Sequence, residues 1–274
     1  MKLKRHTERQ FVLTTICAAL ISMPLCNQVN AQSFGVKFLG NTSDNVTGTA
    51  GVVAISGWNN IGNGFSSGSI LANDGLTAAN LTMSGAFPGD GGWHSGATSD
   101  GGNGSLMNGY LDLGANIGSH QATSTISGLT GSSYSIYMYI FGDASHPGNS
   151  GDWLANYSIN GTTYYAAQLG NGTTTYNTTA TTVGGSFSGF VQGNTYGANF
   201  NTASALPSDF GNYIRIDDVT PVDGAITITG EADAQSWRSP LNGFEIVAVP
   251  EPSTWAFCTI GGLALLNSVR RRNK

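Results

Sequence analysis

The sequence predicts an all-β protein built as a single β-sandwich of jelly-roll type. Three observations point that way: few charges beside abundant glycine, many short strand-like runs at regular spacing, and no helical period in the body of the chain. Only 10% of the 274 residues are charged and 39 are Gly, where an average soluble domain carries roughly 25% charged residues. Hydrophobic residues make up 40% and aromatics 10%. That much apolar surface offsets the entropy of ordering the chain, so composition argues against disorder.

Taken in order, strand-like runs lie at 35–39, 52–55, 81–84, 110–113, 123–126, 133–141, 155–159, 164–168, 186–191, 213–216, 225–229 and 243–247. Several alternate polar and apolar residues, the period of a half-buried strand. The run 133–141 is apolar on both faces and reads as an interior strand. Asn160-Gly161 sits between two runs and predicts a two-residue hairpin, and Asn171-Gly172 marks a second turn. Many short strands in one chain of this length imply a sandwich, here a jelly roll.

The ends differ from the body. Residues 1–31 have basic Lys2, Lys4, Arg5 and Arg9, an apolar run from Phe11 to Leu25, and small-residue site Val29-Asn30-Ala31. This order predicts a signal helix cut before Gln32 by signal peptidase. Leu25 before Cys26 is too bulky for a lipoprotein site. Residues 32–248 form the predicted sandwich domain. Residues 249–274 begin Val249-Pro250-Glu251-Pro252-Ser253-Thr254-Trp255, continue through an apolar stretch, and end in Arg270-Arg271-Arg272 and Lys274. The apolar span is shorter than the ~20 residues of a comfortable transmembrane helix. Trp255 suits a membrane interface, the basic cluster suits the cytoplasmic side, and Pro250 and Pro252 keep the outer segment extended. The expectation is a short transmembrane helix with an extended, protease-accessible peptide beside it.

These last 26 residues resemble the PEP-CTERM sorting signal. The resemblance implies recognition by an exosortase, with Pro250, Glu251 and Pro252 as the recognition tripeptide, the span as an inner-membrane anchor in transit, and Arg270, Arg271 and Arg272 as the stop. It also implies a Gram-negative host that makes exopolysaccharide, and delivery to the cell surface or extracellular matrix. Asn267-Ser268 makes the span less apolar than the pattern. The body loosely resembles galactose-binding-like sandwiches in 106–112, in Tyr157-Ser158-Ile159-Asn160-Gly161 with Tyr164-Tyr165, and in 238–247.

Between Gln32 and Pro250 fourteen acidic residues face three basic ones, Lys37, Arg215 and Arg238, a balance of −11. Nucleic acid is therefore a poor partner, because phosphate contacts need Lys and Arg. Cys17, Cys26 and Cys258 all lie in the terminal segments, so the body has neither disulfide nor Cys-based zinc site. Gly64-Phe65-Ser66-Ser67-Gly68 matches G-x-S-x-G but lacks the following helix that a nucleophile elbow needs. His94, His120 and His146 are too scattered to suggest zinc. Asp143 and Asp152, with Asn149 between them, could hold a structural calcium, an ion that such sandwiches often carry; solvated loop carboxylates are the plainer reading.

Trp58, Trp93, Trp153 and Trp237 are each set among small or polar residues. Exposed, they would stack on sugar rings with Arg238 as a ligand contact; buried, they would seal the core, the commoner fate of large aromatics. Eight Asn-x-Ser/Thr triplets are candidate glycan acceptors. The expected function is an exported surface or matrix protein whose sandwich binds polysaccharide and catalyses nothing. A secreted carbohydrate-active enzyme with a hidden carboxylate pair, or a purely structural or adhesive matrix component, stands as the alternative.

Overall fold

A computed structural model describes residues 32–62, 65–85, 92–114, 121–142, 154–169, 174–176, 181–183, 186–197, 207–231 and 238–250. The protein is predominantly β. One sheet contains β1 (Ser33–Phe38), β2 (Asn59–Ile61), β8 (Tyr134–Tyr139), β14 (Tyr213–Val219) and β17 (Gly243–Ala248). Its order is β14-β8-β17-β1-β2, all antiparallel except β1 with β2. The second sheet contains β3 (Ser67–Leu71), β4 (Ala78–Gly85), β7 (Ala122–Ser127), β9 (Leu154–Ile159), β10 (Thr162–Ala167), β13 (Thr195–Tyr196) and β15 (Ala225–Glu231). Its order is β13-β10-β9-β15-β7-β4-β3. Two smaller sheets pair β5 (Gly92–His94), β6 (Gly109–Gly114) and β16 (Arg238–Leu241), and β11 (Thr174–Tyr176) with β12 (Thr181–Val183).

Side-chain alternation explains how the two large sheets meet. In β4 the residues Ala79, Leu81 and Met83 are buried while their neighbours are exposed. Successive strand residues point to opposite faces, so this alternation turns one face of the sheet inward. Phe34, Val36, Ile136, Met138, Ile214, Phe244 and Ile246 from the first sheet share one continuous core with Leu81, Ile126, Tyr157, Ile226 and Ile228 from the second. The interior position read from the 133–141 run agrees with β8, which lies between β14 and β17. The hairpin at Asn160-Gly161 joins β9 to β10 with Ile159 opposite Thr162. Both turn residues have positive φ, 48° and 82°, as a type I′ turn requires.

The outer face of the five-stranded sheet is overlaid by connecting segments rather than by a third sheet. Val46, Ala50, Ile55, Trp58, Leu106 and Met107 pack there against Tyr139 and Phe141 in a second cluster. Two runs that alternate like strands belong to this cover. Residues 52–54 form a turn, because Gly51 at φ 93° and Ala54 at φ 58° reverse the chain. Residues 186–191 form no strand and pack Phe187 and Phe190 against the same cluster. A six-residue helix, α1 (Asn103–Asn108), has no counterpart in the sequence reading. Asp100 nucleates it by accepting the backbone N–H groups of Gly102, Gly104 and Ser105, donors that a helix start otherwise leaves unsatisfied.

No described helix is long and apolar enough to cross a membrane. The signal helix at 1–31, the transmembrane span, and sorting residues Glu251, Pro252, Arg270, Arg271 and Arg272 lie outside the described residues; Pro250 is the last one described, and it is exposed.

Candidate functional site

Strand register assembles a polar and aromatic surface on the outer face of the five-stranded sheet. Tyr137 on β8 stands opposite Arg215 on β14 and opposite Glu245 on β17. One step along, Tyr139 stands opposite Tyr213 and Gly243. Ile214 and Ile216 are buried while Arg215 and Asp217 are exposed and Tyr213 is half-buried. The alternation Tyr213-x-Arg215-x-Asp217 therefore places all three on this one face.

A β-bulge refines the arrangement. The register shifts between Ile216 and Val219, so Asp217 and Asp218 both oppose Ser135. Asp218 takes φ 58°, the backbone reversal that lets a bulged strand re-aim a side chain. Asp217 Oδ1 then accepts the Ser135 hydroxyl at 2.6 Å and Arg215 Nε at 2.8 Å. The Ser135 hydroxyl, and next the Arg215 guanidinium, hold the Asp217 carboxyl below the usual carboxylate range. The guanidinium carbon lies 5.5 Å from the Tyr137 ring centroid, a cation–π contact. Both members of the pair remain nearly half exposed, at 44% and 48%. The fork of guanidinium N–H groups beyond Nε and the second Asp217 oxygen thus face solvent beside two tyrosine rings.

The tyrosines continue a strip of aromatic contacts. Tyr213 lies 6.5 Å from Tyr137 and 6.1 Å from Phe190, and Phe190 lies 5.5 Å from Phe187, centroid to centroid. Buried Asn212 fixes the Phe190 segment to the sheet. Its side chain donates to Gly189 O at 2.8 Å and accepts Val191 N–H at 2.9 Å, while Gly193 N–H donates to Tyr213 O at 2.8 Å.

Beneath this surface two charge-bearing side chains, Glu245 and Lys37, are fully buried, and the Tyr139 phenol is buried beside the first. The Glu245 carboxyl accepts Val53 N–H at 3.3 Å through Oε2, and Tyr139 Oη accepts Val52 N–H at 2.8 Å. Glu245 Oε1 has no well-formed hydrogen bond among the described residues, although the Tyr139 hydroxyl lies beside the carboxyl. Burial pushes Glu245 up to about 7, against the opposing pull of the Tyr139 hydroxyl and the Val53 N–H. Burial, then the neighbouring Glu245 charge, raises the Tyr139 phenol far above its ordinary value.

Lys37 is the second buried group. Its Nζ donates to Gly109 O at 2.6 Å, and Asn242 Nδ2 donates to the same carbonyl at 3.1 Å and to Met107 O at 2.8 Å. Burial lowers Lys37 to about 7, with Asp44 pulling the other way. Asp44 is held below the usual carboxylate range despite the opposing cost of burial. It accepts Ser99 Oγ, Asn108 Nδ2 at 3.0 Å and Ser105 Oγ at 2.9 Å, and it feels the Lys37 charge. This network ties the 95–109 segment to β1 and to Asn242, so its role is to fix the cover on the sheet.

The residues singled out from sequence fall in different places. Trp58 presents no stacking face. It is 6% exposed, packs edge-on to Tyr139 at 6.0 Å, and donates its indole N–H to Ala50 O and Ile55 O. Its candidacy as a sugar contact is therefore corrected: a large ring is stable there because its one polar atom is satisfied. Trp93 is 46% exposed on β5 and stacks on His94 at 5.6 Å and 20°, away from the Tyr137–Tyr213 surface in sequence and sheet. Trp153, Trp237, Asp143 and Asp152 lie outside the described residues, as do His120 and His146, and Arg238 opens β16 opposite Gly114. Among the described residues no group of three or more His, Cys, Asp or Glu comes together as a metal site. Ser66 of the G-x-S-x-G pattern is exposed and is followed by strand β3, not by a helix.

Sequence reasoning passed over Tyr137, Arg215 and Glu245. The signal that was present is the strict alternation from Tyr213 to Asp217; the pairing with Tyr137 depends on register, which no local pattern carries. Comparison with protein families, with curated proteins and with solved structures finds no match for this chain.

Proposed function

We propose that this chain is an exported surface or matrix protein, delivered by an exosortase-type enzyme, whose two large sheets form a jelly-roll β-sandwich that binds uncharged polysaccharide. The observation that carries the binding reading is the Tyr137–Tyr213 surface with the solvent-facing Arg215–Asp217 pair. Aromatic rings offer flat apolar faces to the C–H side of a sugar ring. A guanidinium fork beside a carboxylate oxygen supplies donors and an acceptor for neighbouring hydroxyls. The polysaccharide is uncharged on this reading, because the body carries a balance of −11 and Asp217 already neutralises Arg215. The address rests on the terminal segments: a leader ending at Ala31 and the Pro250-Glu251-Pro252 motif with its apolar stretch and Arg270–Arg272 tail. The protein acts by holding its ligand, with signal peptidase, the inner membrane and the sorting enzyme as partners in transit.

The test is a pull-down of the purified full chain on insoluble neutral polysaccharides, together with a glycan array. Saturable binding that is lost in Tyr213→Ala and in Arg215→Ala, with melting temperatures near the wild type, supports the assignment. Binding that survives both substitutions places the site elsewhere, and absence of binding to any glycan leaves the structural-component reading.

A further inference from the structure

The outer face of the seven-stranded sheet carries a second regular surface of different chemistry. Thr82 on β4, Thr125 on β7 and Thr227 on β15 stand opposite one another in one row. Ser84, Thr123 and Thr229 form the next, and Ser158 on β9 continues it. Their neighbours Leu81, Met83, Ile126 and Ile228 point into the core, so the hydroxyl-bearing side chains point out. Pairing of β4 with β7 and of β7 with β15 runs without a register shift, unlike the bulged β14. The result is a grid of hydroxyl groups spaced by about 4.8 Å between strands and about 6.7 Å along them.

The grid is rigid and uncharged. Thr123 and Thr229 hydroxyl oxygens lie 3.0 Å apart, and those of Thr125 and Thr227 lie 3.2 Å apart, so each pair shares a cross-strand hydrogen bond. That bond fixes side chains whose β-branch already restricts χ1. Neither row contains a charged residue, although the body as a whole has fourteen carboxylates. A partner matched to this face is therefore uncharged, periodic on the same scale and rich in hydrogen-bonding sites. A sugar polymer would gain little here, because the rows present no aromatic face.

The geometry points to ordered water as the partner: the grid is an ice-binding face. Each Thr offers a hydroxyl that can take a lattice position and a methyl that seats between water molecules, and the repeats are of the order of the oxygen spacings on hexagonal ice. Individually weak contacts held in register on a rigid frame add up without an ordering cost at each site. This surface is separate from the Tyr137–Tyr213 face, so the inference stands or falls independently of polysaccharide binding.

The experiment grows ice slowly from a dilute solution of the full chain and compares protein in the ice with protein in the liquid, beside an inert globular control. The expected result is enrichment in ice, with inhibition of recrystallisation. Thr125→Lys, which puts a long charged side chain at the centre of the grid, is expected to lose both while polysaccharide binding persists. Thr82→Lys, at an exposed position on β4, gives the same readout should Thr125→Lys fold poorly. Exclusion of the wild type from ice overturns the inference. So does equal enrichment of a folded Lys variant, or capture of this face by a crystalline polysaccharide.

Discussion

Asn59 and Leu71 pair as if their strands were neighbours, although they belong to different sheets. The Asn59 side-chain amide donates to Leu71 O at 2.9 Å and accepts Leu71 N–H at 3.0 Å, imitating a two-bond β-bridge. The same nitrogen donates to Gly35 O at 2.9 Å on β1. One side chain thus covers the edge of β3 at Leu71, β3 being one of the two edge strands of the seven-stranded sheet, and joins it to the five-stranded sheet.

Asn59→Ala is expected to cost about 0.5–1.5 kcal/mol, the net worth of an ordinary hydrogen bond, because water can replace the amide at exposed Leu71 while the part-buried Gly35 carbonyl loses its donor. It should also expose backbone groups at Leu71 that recruit another strand. Urea denaturation reads the first effect and light scattering at rising concentration reads the second. A variant as stable and as monodisperse as the wild type would show the bridge to be incidental.

Gly51 is required where it stands. It has φ 93°, and a Cβ there would run into the Glu245 carboxyl and come within 2.8 Å of Tyr139 Oη. Gly51→Ala is expected to destabilise the fold by roughly 2–4 kcal/mol, from backbone strain plus overpacking. Glu245→Ala in the same chain removes the obstructing carboxyl and should recover part of that loss, a coupling that a double-mutant cycle measures. Strictly additive effects would place the cost in the backbone alone.

Stability should pass through a minimum near neutral pH. Glu245 rises in the folded state from an ordinary 4.5 to about 7, so its contribution is complete below 4.5 and is lost as pH climbs toward 7. Lys37 falls from 10.5 to about 7, so its contribution is complete above 10.5 and is lost as pH drops toward 7. Denaturation midpoints between pH 5 and 10 are expected to trace a valley. Glu245→Gln should level the acid side and Lys37→Met the alkaline side. A maximum at pH 7 would contradict both assignments.

The Asn212 staple makes a further prediction. In Asn212→Ala the amide of Val191 loses its side-chain acceptor, and the carbonyl of Gly189 loses its donor. Hydrogen exchange at 189–193 is expected to accelerate while β8 and β17 stay protected. Unchanged exchange would mean that Phe187 and Phe190 packing alone holds the segment.

What the sequence made legible was local. The strands at 123–126, 225–229 and 243–247, the interior position of 133–141 and the Asn160-Gly161 hairpin all follow from period and turn chemistry acting over a few residues. The runs at 52–55 and 186–191 have strand-like composition, yet they lie over an existing sheet face where the partner strands are already saturated. The alternation Tyr213-x-Arg215-x-Asp217 is present in the sequence, but nothing local marks that face as a site. Tyr137 and Glu245 joined them only through the pairing of β8 with β14 and β17, strands separated by more than seventy residues. Burial of Lys37 and Glu245 was illegible for the same reason, since charged residues ordinarily read as surface.

The pairing of β1 with β17 sets an order of events. Ser33 lies opposite Val247 and Ala248 N–H donates to Gln32 O at 2.9 Å, so the first and last described strands are partners near the middle of one sheet. A chain made from its N-terminus can pair β1 with β2 early, but the other edge of β1 stays open until β17 has also been made. Closure of that sheet is therefore among the final steps, whatever local hairpins form earlier. The contact that completes the architecture thus also acts as a clock, delaying the finished fold until nearly all of the body has been made.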